Sequence, residues 1–133
     1  MTVLDASALL AFLQGEPGSD AVEAALVAGA TCGAANWSEV AQRVRGSDRD
    51  WTLARALLES YGVTVESVTV DDAEWAAARW QRSDGLSLGD RFCLALGHRL
   101  ATDVFTADRA WGDGDGVRQI RGRSGCHEAR MRQ

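Results

Sequence analysis

The chain has 133 residues, of which 46% are hydrophobic, and it carries a formal net charge of −5 at pH 7. This length and apolar content suit one globular domain with its own core, and no segment approaches the roughly 18 consecutive apolar residues that a membrane span needs. The negative charge argues against a protein that coats nucleic acid by bulk electrostatics. The negative charge does not exclude a nuclease, because a cation bound by carboxylates makes the local electrostatic field positive.

The N-terminal residues lack the basic and apolar regions of a signal peptide, so we expect a soluble, cytoplasmic protein. Three cysteines, Cys32, Cys93 and Cys126, are widely spaced and form no C-x-x-C pair. We therefore expect reduced thiols, mostly buried, rather than a zinc or redox site.

The first half of the chain alternates strand-like and helix-like segments. In chain order, the pattern predicts a strand at residues 2–5, helices at 7–13 and 19–28, a strand at 31–34, helices at 37–45 and 50–61, and a strand at 63–68. Pro17 separates the first two helices and suits the start of the second. Asn36 is the predicted N-cap of the helix at 37–45, where Glu39 would complete a capping box in the first turn.

The second half continues the alternation. Asp71 or Asp72 is expected to cap a helix at 73–82, and Ser87 begins another helix that runs to about residue 100. The apolar face of that second helix should be buried; it consists of Leu88, Phe92, Ala95 and Leu96. Strands at 103–106 and 117–121 follow, and residues 122–133 are predicted to form a polar, partly disordered tail.

Strands that alternate with helices predict an α/β fold in three layers, with a central, mainly parallel sheet between two layers of helices. Ligands bind beyond the carboxyl ends of the strands in such sheets. Asp5 and Asp108 end two predicted strands, while Glu39 and Asp90 lie in the first turns of predicted helices. The four carboxylates are therefore expected to share one rim of the sheet.

Four segments carry these acidic residues, and they resemble the four acidic motifs of PIN domains, specifically those of VapC toxins. The segments are Val3-Leu4-Asp5-Ala6-Ser7-Ala8-Leu9-Leu10, Asn36-Trp37-Ser38-Glu39-Val40, Leu86-Ser87-Leu88-Gly89-Asp90-Arg91-Phe92-Cys93-Leu94-Ala95-Leu96 and Phe105-Thr106-Ala107-Asp108-Arg109-Ala110-Trp111. Their order and spacing fit the family across nearly the whole chain. The resemblance implies a PIN-like sandwich formed by a single domain over residues 1–121, with the tail at 122–133 outside the common pattern.

The resemblance also implies a function. PIN domains of this kind are Mg²⁺- or Mn²⁺-dependent endoribonucleases that leave a 5′-phosphate and a 3′-hydroxyl, and they serve as the toxin of a toxin–antitoxin pair. By position, Asp5, Glu39, Asp90 and Asp108 match the catalytic acids, with the metal held by Asp5, Asp90 and Asp108. Ser7 and Thr106 match the supporting hydroxyl positions. The implied partners are an RNA substrate, a second copy of the chain, and a small VapB-like antitoxin that covers the acidic groove.

The chemistry of the residues agrees with this implication. Mg²⁺ is a hard ion that takes about six oxygen ligands, usually a few carboxylates together with several waters. A site of three or four carboxylates without histidine or cysteine suits it. A bound cation activates water and polarises a phosphoryl group, so that no side-chain nucleophile is required.

Each acid also has a purely structural interpretation. Ser87 and Asp90 form a capping-box pattern, and Asp108 is placed to close an Asx turn. Asp5 is harder to explain in this way, because an acid that ends a buried strand needs partners to offset its desolvation. Arginines near the motifs are either phosphate contacts or solvated surface charges; they are Arg43, Arg45, Arg49, Arg91 and Arg109.

Other functions fit less well. A phospho-acceptor receiver domain requires a late lysine, and the chain contains none. A haloacid-dehalogenase-type phosphatase requires a second aspartate where Ser7 stands. Dinucleotide binding is disfavoured because no G-x-G-x-x-G motif follows a strand. Two alternatives stay open, namely a PIN-fold binding module with little or no catalysis and an RNA-processing PIN nuclease outside toxin–antitoxin systems.

Overall fold

The structure is a computed structural model that describes residues 1–114 and 116–121. The predicted tail at 122–133, which includes Cys126, lies outside the described residues. The strands are β1 (Thr2–Leu4), β2 (Ala30–Gly33), β3 (Thr64–Glu66), β4 (Val104–Thr106) and β5 (Val117–Gln119). The α-helices are α1 (Ala6–Gln14), α2 (Ser19–Ala28), α3 (Ala34–Gly46), α4 (Trp51–Ser60), α5 (Val70–Ala78) and α6 (Leu88–Leu100), and a short 3-10 helix covers Arg109–Trp111.

The five strands form one sheet in the order β3-β2-β1-β4-β5, and every neighbouring pair is parallel. The N-terminal strand β1 is therefore central, with Val3 opposite Thr31 on one side and Val104 on the other. The carboxyl ends of all five strands meet at the same edge. This confirms the predicted α/β fold with a parallel sheet.

Helices cover both faces of the sheet. Successive residues of a strand point to opposite faces, and the fully buried pair Val3 and Leu4 belongs to two different core clusters. Leu4 packs with side chains of α1 to α4, among them Leu9, Leu26, Val40, Val44, Trp51 and Leu58. Val3 packs with Cys93 and Leu96 of α6 and with Val104. The three-layer arrangement is thus confirmed.

Helix starts were predicted less accurately than helix positions. α3 begins at Ala34 with Gly33 as its N-cap, so Asn36 is not the cap and Glu39 lies beyond the first turn. α5 begins at Val70, capped by Thr69 rather than by Asp71 or Asp72. Both predictions were wrong because a residue with extended backbone about one turn earlier, Gly33 or Thr69, takes the cap.

The predicted buried face of α6 is also partly wrong. Leu88 is 54% exposed, whereas Arg91 and Cys93 are buried together with Ala95 and Leu96. Arg91 turns towards α5 and donates from Nη1 to the carbonyl oxygen of Ala76 at 2.8 Å. It is therefore used to join two helices and is not available to phosphate.

α5 and α6 form an antiparallel pair that is tied at both ends. Opposite the Arg91 contact, Arg99 Nε donates to Asp72 Oδ1 at 3.1 Å, close to the start of α5. Burial alone would raise the pKa of Asp72, but the hydrogen bonds from Arg99 and from the backbone at Thr69 hold that pKa below its usual value. The pairing places the end of α5 beside the start of α6.

Within the described residues, no helix has the length and apolar character needed to cross a membrane.

Two glycines in helices allow a test of the packing between α6 and the sheet. A Cβ at Gly97 would lie 2.5 Å from Val104 Cγ2, a buried branched side chain that cannot move away, whereas a Cβ at Gly46 would meet nothing within 4 Å. We predict that Gly97→Ala destabilises the fold by about 1–3 kcal/mol despite its better helix propensity. Gly46→Ala, the matched control, should stabilise it by about 0.5 kcal/mol. Urea unfolding of both variants checks this, and equal effects of the two would contradict the packing described.

Candidate active site

A cleft of about 370 Å³ opens at the carboxyl edge of the sheet. Five of the six residues that the sequence predicted for the site line it: Asp5, Ser7, Glu39, Asp90 and Asp108. The sixth, Thr106, is fully buried and donates a hydrogen bond to Asp5. The fold therefore brings all of the predicted residues to one place, although they come from four separate segments of the chain.

Asp5 follows the central strand and is only 3% exposed. Its Oδ1 accepts from the backbone N–H of Ala8 at 2.7 Å, as the N-cap of α1, and from the Ser7 hydroxyl at 2.8 Å. Its Oδ2 accepts from the hydroxyls of Thr106 and Ser7. The predicted supporting positions thus contact the carboxylate directly, and they fix its orientation from both α1 and β4.

The pKa of Asp5 is raised from 3.8 to about 6. Burial is the main cause, because desolvation disfavours the ionised form. Hydrogen bonds from Thr106, Ala8 and Ser7 lower the pKa but do not compensate for burial, and the nearby negative charge of Asp90 raises it further. A cation in the cleft would favour the carboxylate and bring this pKa down.

The other three acids have one oxygen engaged within the protein and one available. Asp90 Oδ2 accepts from the backbone N–H of Ser87 at 2.9 Å in a capping box, and Asp108 Oδ1 accepts from Ala110 N–H at 2.9 Å in an Asx-type turn. Glu39 Oε1 accepts from Asn36 Nδ2 at 3.3 Å. Among the described residues, no hydrogen bond reaches the second oxygens of these three carboxylates. The structural roles are therefore real, and they leave oxygen ligands free.

The donor set fits a hard divalent cation that keeps water ligands. In this geometry, no three acidic, histidine or cysteine side chains of residues 1–114 and 116–121 are close enough together to bind one ion directly. Mg²⁺ does not require that, because it is usually held by one or two carboxylates and several waters. The four carboxylates around the cleft therefore suit Mg²⁺ or Mn²⁺ better than an ion that needs a complete protein cage.

Several residues of the cleft carry no motif and were missed as site residues. Gln14 and Glu16 line it from the end of α1, and Arg121 Nη2 lies 3.3 Å from Glu16 Oε1. Only their place in the fold reveals them. Arg43 alone among the five candidate arginines lines the cleft.

Comparisons with known proteins agree on the fold. The family model of the PIN domain matches residues 2–116. The chain is similar to a toxin–antitoxin complex from Klebsiella pneumoniae, with a TM-score of 0.72 and 18% identity over 90% of this chain and 98% of that one. It is also similar to VapC20 of Mycobacterium tuberculosis, a toxin that cleaves the sarcin–ricin loop, with a TM-score of 0.65 and 18% identity over 81% of this chain and 90% of that one. No curated protein matches the sequence.

The raised pKa of Asp5 predicts a specific pH dependence of stability. In the metal-free protein, the contribution of this group is fully present below its unfolded-state pKa and is lost as the pH rises through about 6. Relative to Asp5→Asn, which cannot ionise, the free energy of unfolding of the wild type should fall by about 3 kcal/mol between about pH 3 and pH 7. Urea unfolding of both proteins in chelator measures it. Parallel pH curves for the two proteins would contradict the prediction.

Proposed function

This chain belongs to the PIN-domain family, and from that premise we propose that it is a divalent-metal-dependent endoribonuclease that acts as the toxin of a toxin–antitoxin pair. The observation that carries the proposal is the meeting of Asp5, Glu39, Asp90 and Asp108 in one cleft at the carboxyl edge of a parallel sheet. Such a concentration of negative charge is unfavourable in a protein with only a structural task, and a cation would neutralise it.

Asp5, Asp90 and Asp108 are the residues that would hold Mg²⁺ or Mn²⁺, directly or through water. When bound, the ion would lower the pKa of a water molecule and polarise the scissile phosphoryl group. Ser7 and Thr106 keep the Asp5 carboxylate in a fixed orientation through the hydrogen bonds described above.

Glu39 would orient the attacking water and accept its proton, since its Oε2 faces no hydrogen-bond donor among the described residues. The water oxygen would form a bond to phosphorus as the bond from phosphorus to the 3′ oxygen breaks. The leaving 3′ oxygen would take a proton from solvent water, which leaves a 5′-phosphate and a 3′-hydroxyl. Arg43, in the wall of the cleft, would offset the charge of the RNA backbone.

The biological partners are proposals of the same kind. The two similar structures described above are a toxin–antitoxin complex and a toxin, which supports a cognate antitoxin, similar to VapB, that covers the cleft. The same likeness supports RNA as the substrate. We also include a homodimer in the proposal, on the resemblance of the motifs to VapC toxins.

The cleavage prediction concerns one acid of the cleft. Purified wild type should cut total RNA of its native host in Mg²⁺ or Mn²⁺ and not in chelator, and Asp90→Asn should lose at least about a hundredfold in rate. The amide retains an oxygen for the hydrogen bond from Ser87, so circular dichroism should show an unchanged fold. Gel analysis of the RNA with end labelling measures the rate and the chemistry of the ends.

Asp71→Asn is the matched control, because Asp71 also lies in the first turn of a helix but outside the cleft. It should cleave at the wild-type rate. Folded wild type that cuts no RNA under any metal would overturn the nuclease proposal and favour the binding-module alternative.

The toxin assignment has a separate test in cells. Induced expression of the wild type in the native host should arrest growth, whereas Asp90→Asn should not, and co-expression of the proposed cognate antitoxin should restore growth. Viable counts after induction measure both the growth arrest and its reversal. A protein that cleaves RNA in vitro without arresting growth would instead be an RNA-processing nuclease.

A further inference from the structure

Asn36 is a buried amide between the two helices that carry Glu39 and Asp90. Its side chain is 1% exposed. From α3, its Nδ2 donates both to Glu39 Oε1 and to the backbone carbonyl of Gly89 in the first turn of α6, each at 3.3 Å. One amino group therefore links Glu39, an acid of the cleft, to Gly89, the residue before Asp90.

The chemistry of this contact selects asparagine. Both partners of Nδ2 are acceptors, a carboxylate and a carbonyl, so the side chain must present its amino group to them. An aspartate of the same shape would present only acceptor oxygens, which the Glu39 carboxylate and the Gly89 carbonyl would repel. The price is that Oδ1, on the other side, is buried without a hydrogen-bond partner among the described residues. A buried, unpaired carbonyl oxygen destabilises a fold, so stability does not account for the residue.

Gly89 provides a second, independent observation about the same approach of the helices. A Cβ at position 89 would lie 3.3 Å from Glu39 Oε1, which is tighter than ordinary van der Waals contact. The glycine therefore leaves the space into which the Glu39 carboxylate extends. Both the amide of Asn36 and the missing side chain at Gly89 act on the position of one carboxylate oxygen.

We propose that Asn36 is a positioning residue that holds Glu39 against the start of α6 and so fixes the Glu39 carboxylate relative to Asp90. It does not touch RNA or the ion and acts only through Glu39. This inference rests on the proposed function, because it assigns Asn36 to the same cleft. Without the amide, Glu39, an otherwise exposed side chain, would sample rotamers that point away from the cleft.

The test is a double-mutant cycle of Asn36→Ala and Glu39→Ala, read by calorimetric titration of the metal-free proteins with Mn²⁺. The Glu39 carboxylate is not one of the three that would hold the ion, but its negative charge faces the same cleft and would attract a cation there. Asn36→Ala should therefore weaken Mn²⁺ binding several-fold, and it should have no further effect when Glu39 is already alanine. In cleavage assays, Asn36→Ala should lower kcat about tenfold with KM for RNA unchanged. If Asn36→Ala does not fold, Asn36→Thr replaces it, and its single remaining donor should give a smaller loss in both assays.

Thr31→Val is the matched control, since Thr31 is 1% exposed and its hydroxyl contacts Thr64 at 2.8 Å, away from the acids. It should lower the unfolding midpoint and leave Mn²⁺ affinity and kcat unchanged. Equal effects of Asn36→Ala with and without Glu39 would overturn the positioning role while leaving the nuclease proposal intact. A wild type that neither binds Mn²⁺ nor cleaves RNA would overturn both.

Discussion

Burial of the Asp5 carboxylate at the end of the central strand is the constraint on which the rest of the structure depends. An ionised group in such a place needs several donors, and they come from α1 through Ser7 and Ala8 and from β4 through Thr106. These contacts form only when β1, α1 and β4 are packed together as they are in the fold. They do not fully offset the desolvation, as the raised pKa indicates, and the residual cost is what a cation at the cleft would remove.

The other acids relate to the fold differently from Asp5. Asp90 and Asp108 stabilise the start of α6 and the turn after β4 with one oxygen each, and the second oxygen stays outside the hydrogen-bond network of the described residues. The structural role of each side chain is therefore compatible with the chemical role that we propose for it. Removing the charge but keeping one oxygen separates the two roles, which is why an amide is the informative replacement at these positions.

Much of this arrangement could be predicted from the sequence. Periodicity and turn residues located each strand and each α-helix but not the 3-10 helix at Arg109–Trp111. The position of Asp5 and Asp108 after strands indicated which edge of the sheet carries the site. Helix starts were less predictable. Asn36 and Asp72 have side chains typical of N-caps, but Gly33 and Thr69 are the residues that adopt the extended backbone of a cap. Arg91 and Leu88 exchanged their expected environments because a partner in α5, invisible in the local pattern, decides which side of α6 is buried. Glu16 and Arg121 reach the cleft only through the tertiary fold.

The strand order also has a consequence for biosynthesis. β1 is made before the other four described strands, yet it lies in the middle of the sheet, and one of its two neighbours, β4, is made more than a hundred residues later. Until that segment emerges, Asp5 lacks Thr106 and the cleft lacks Asp108. A nascent chain is therefore without its full set of cleft acids until β4 and the residues after it have been made, so the site can form only when the sheet is nearly complete.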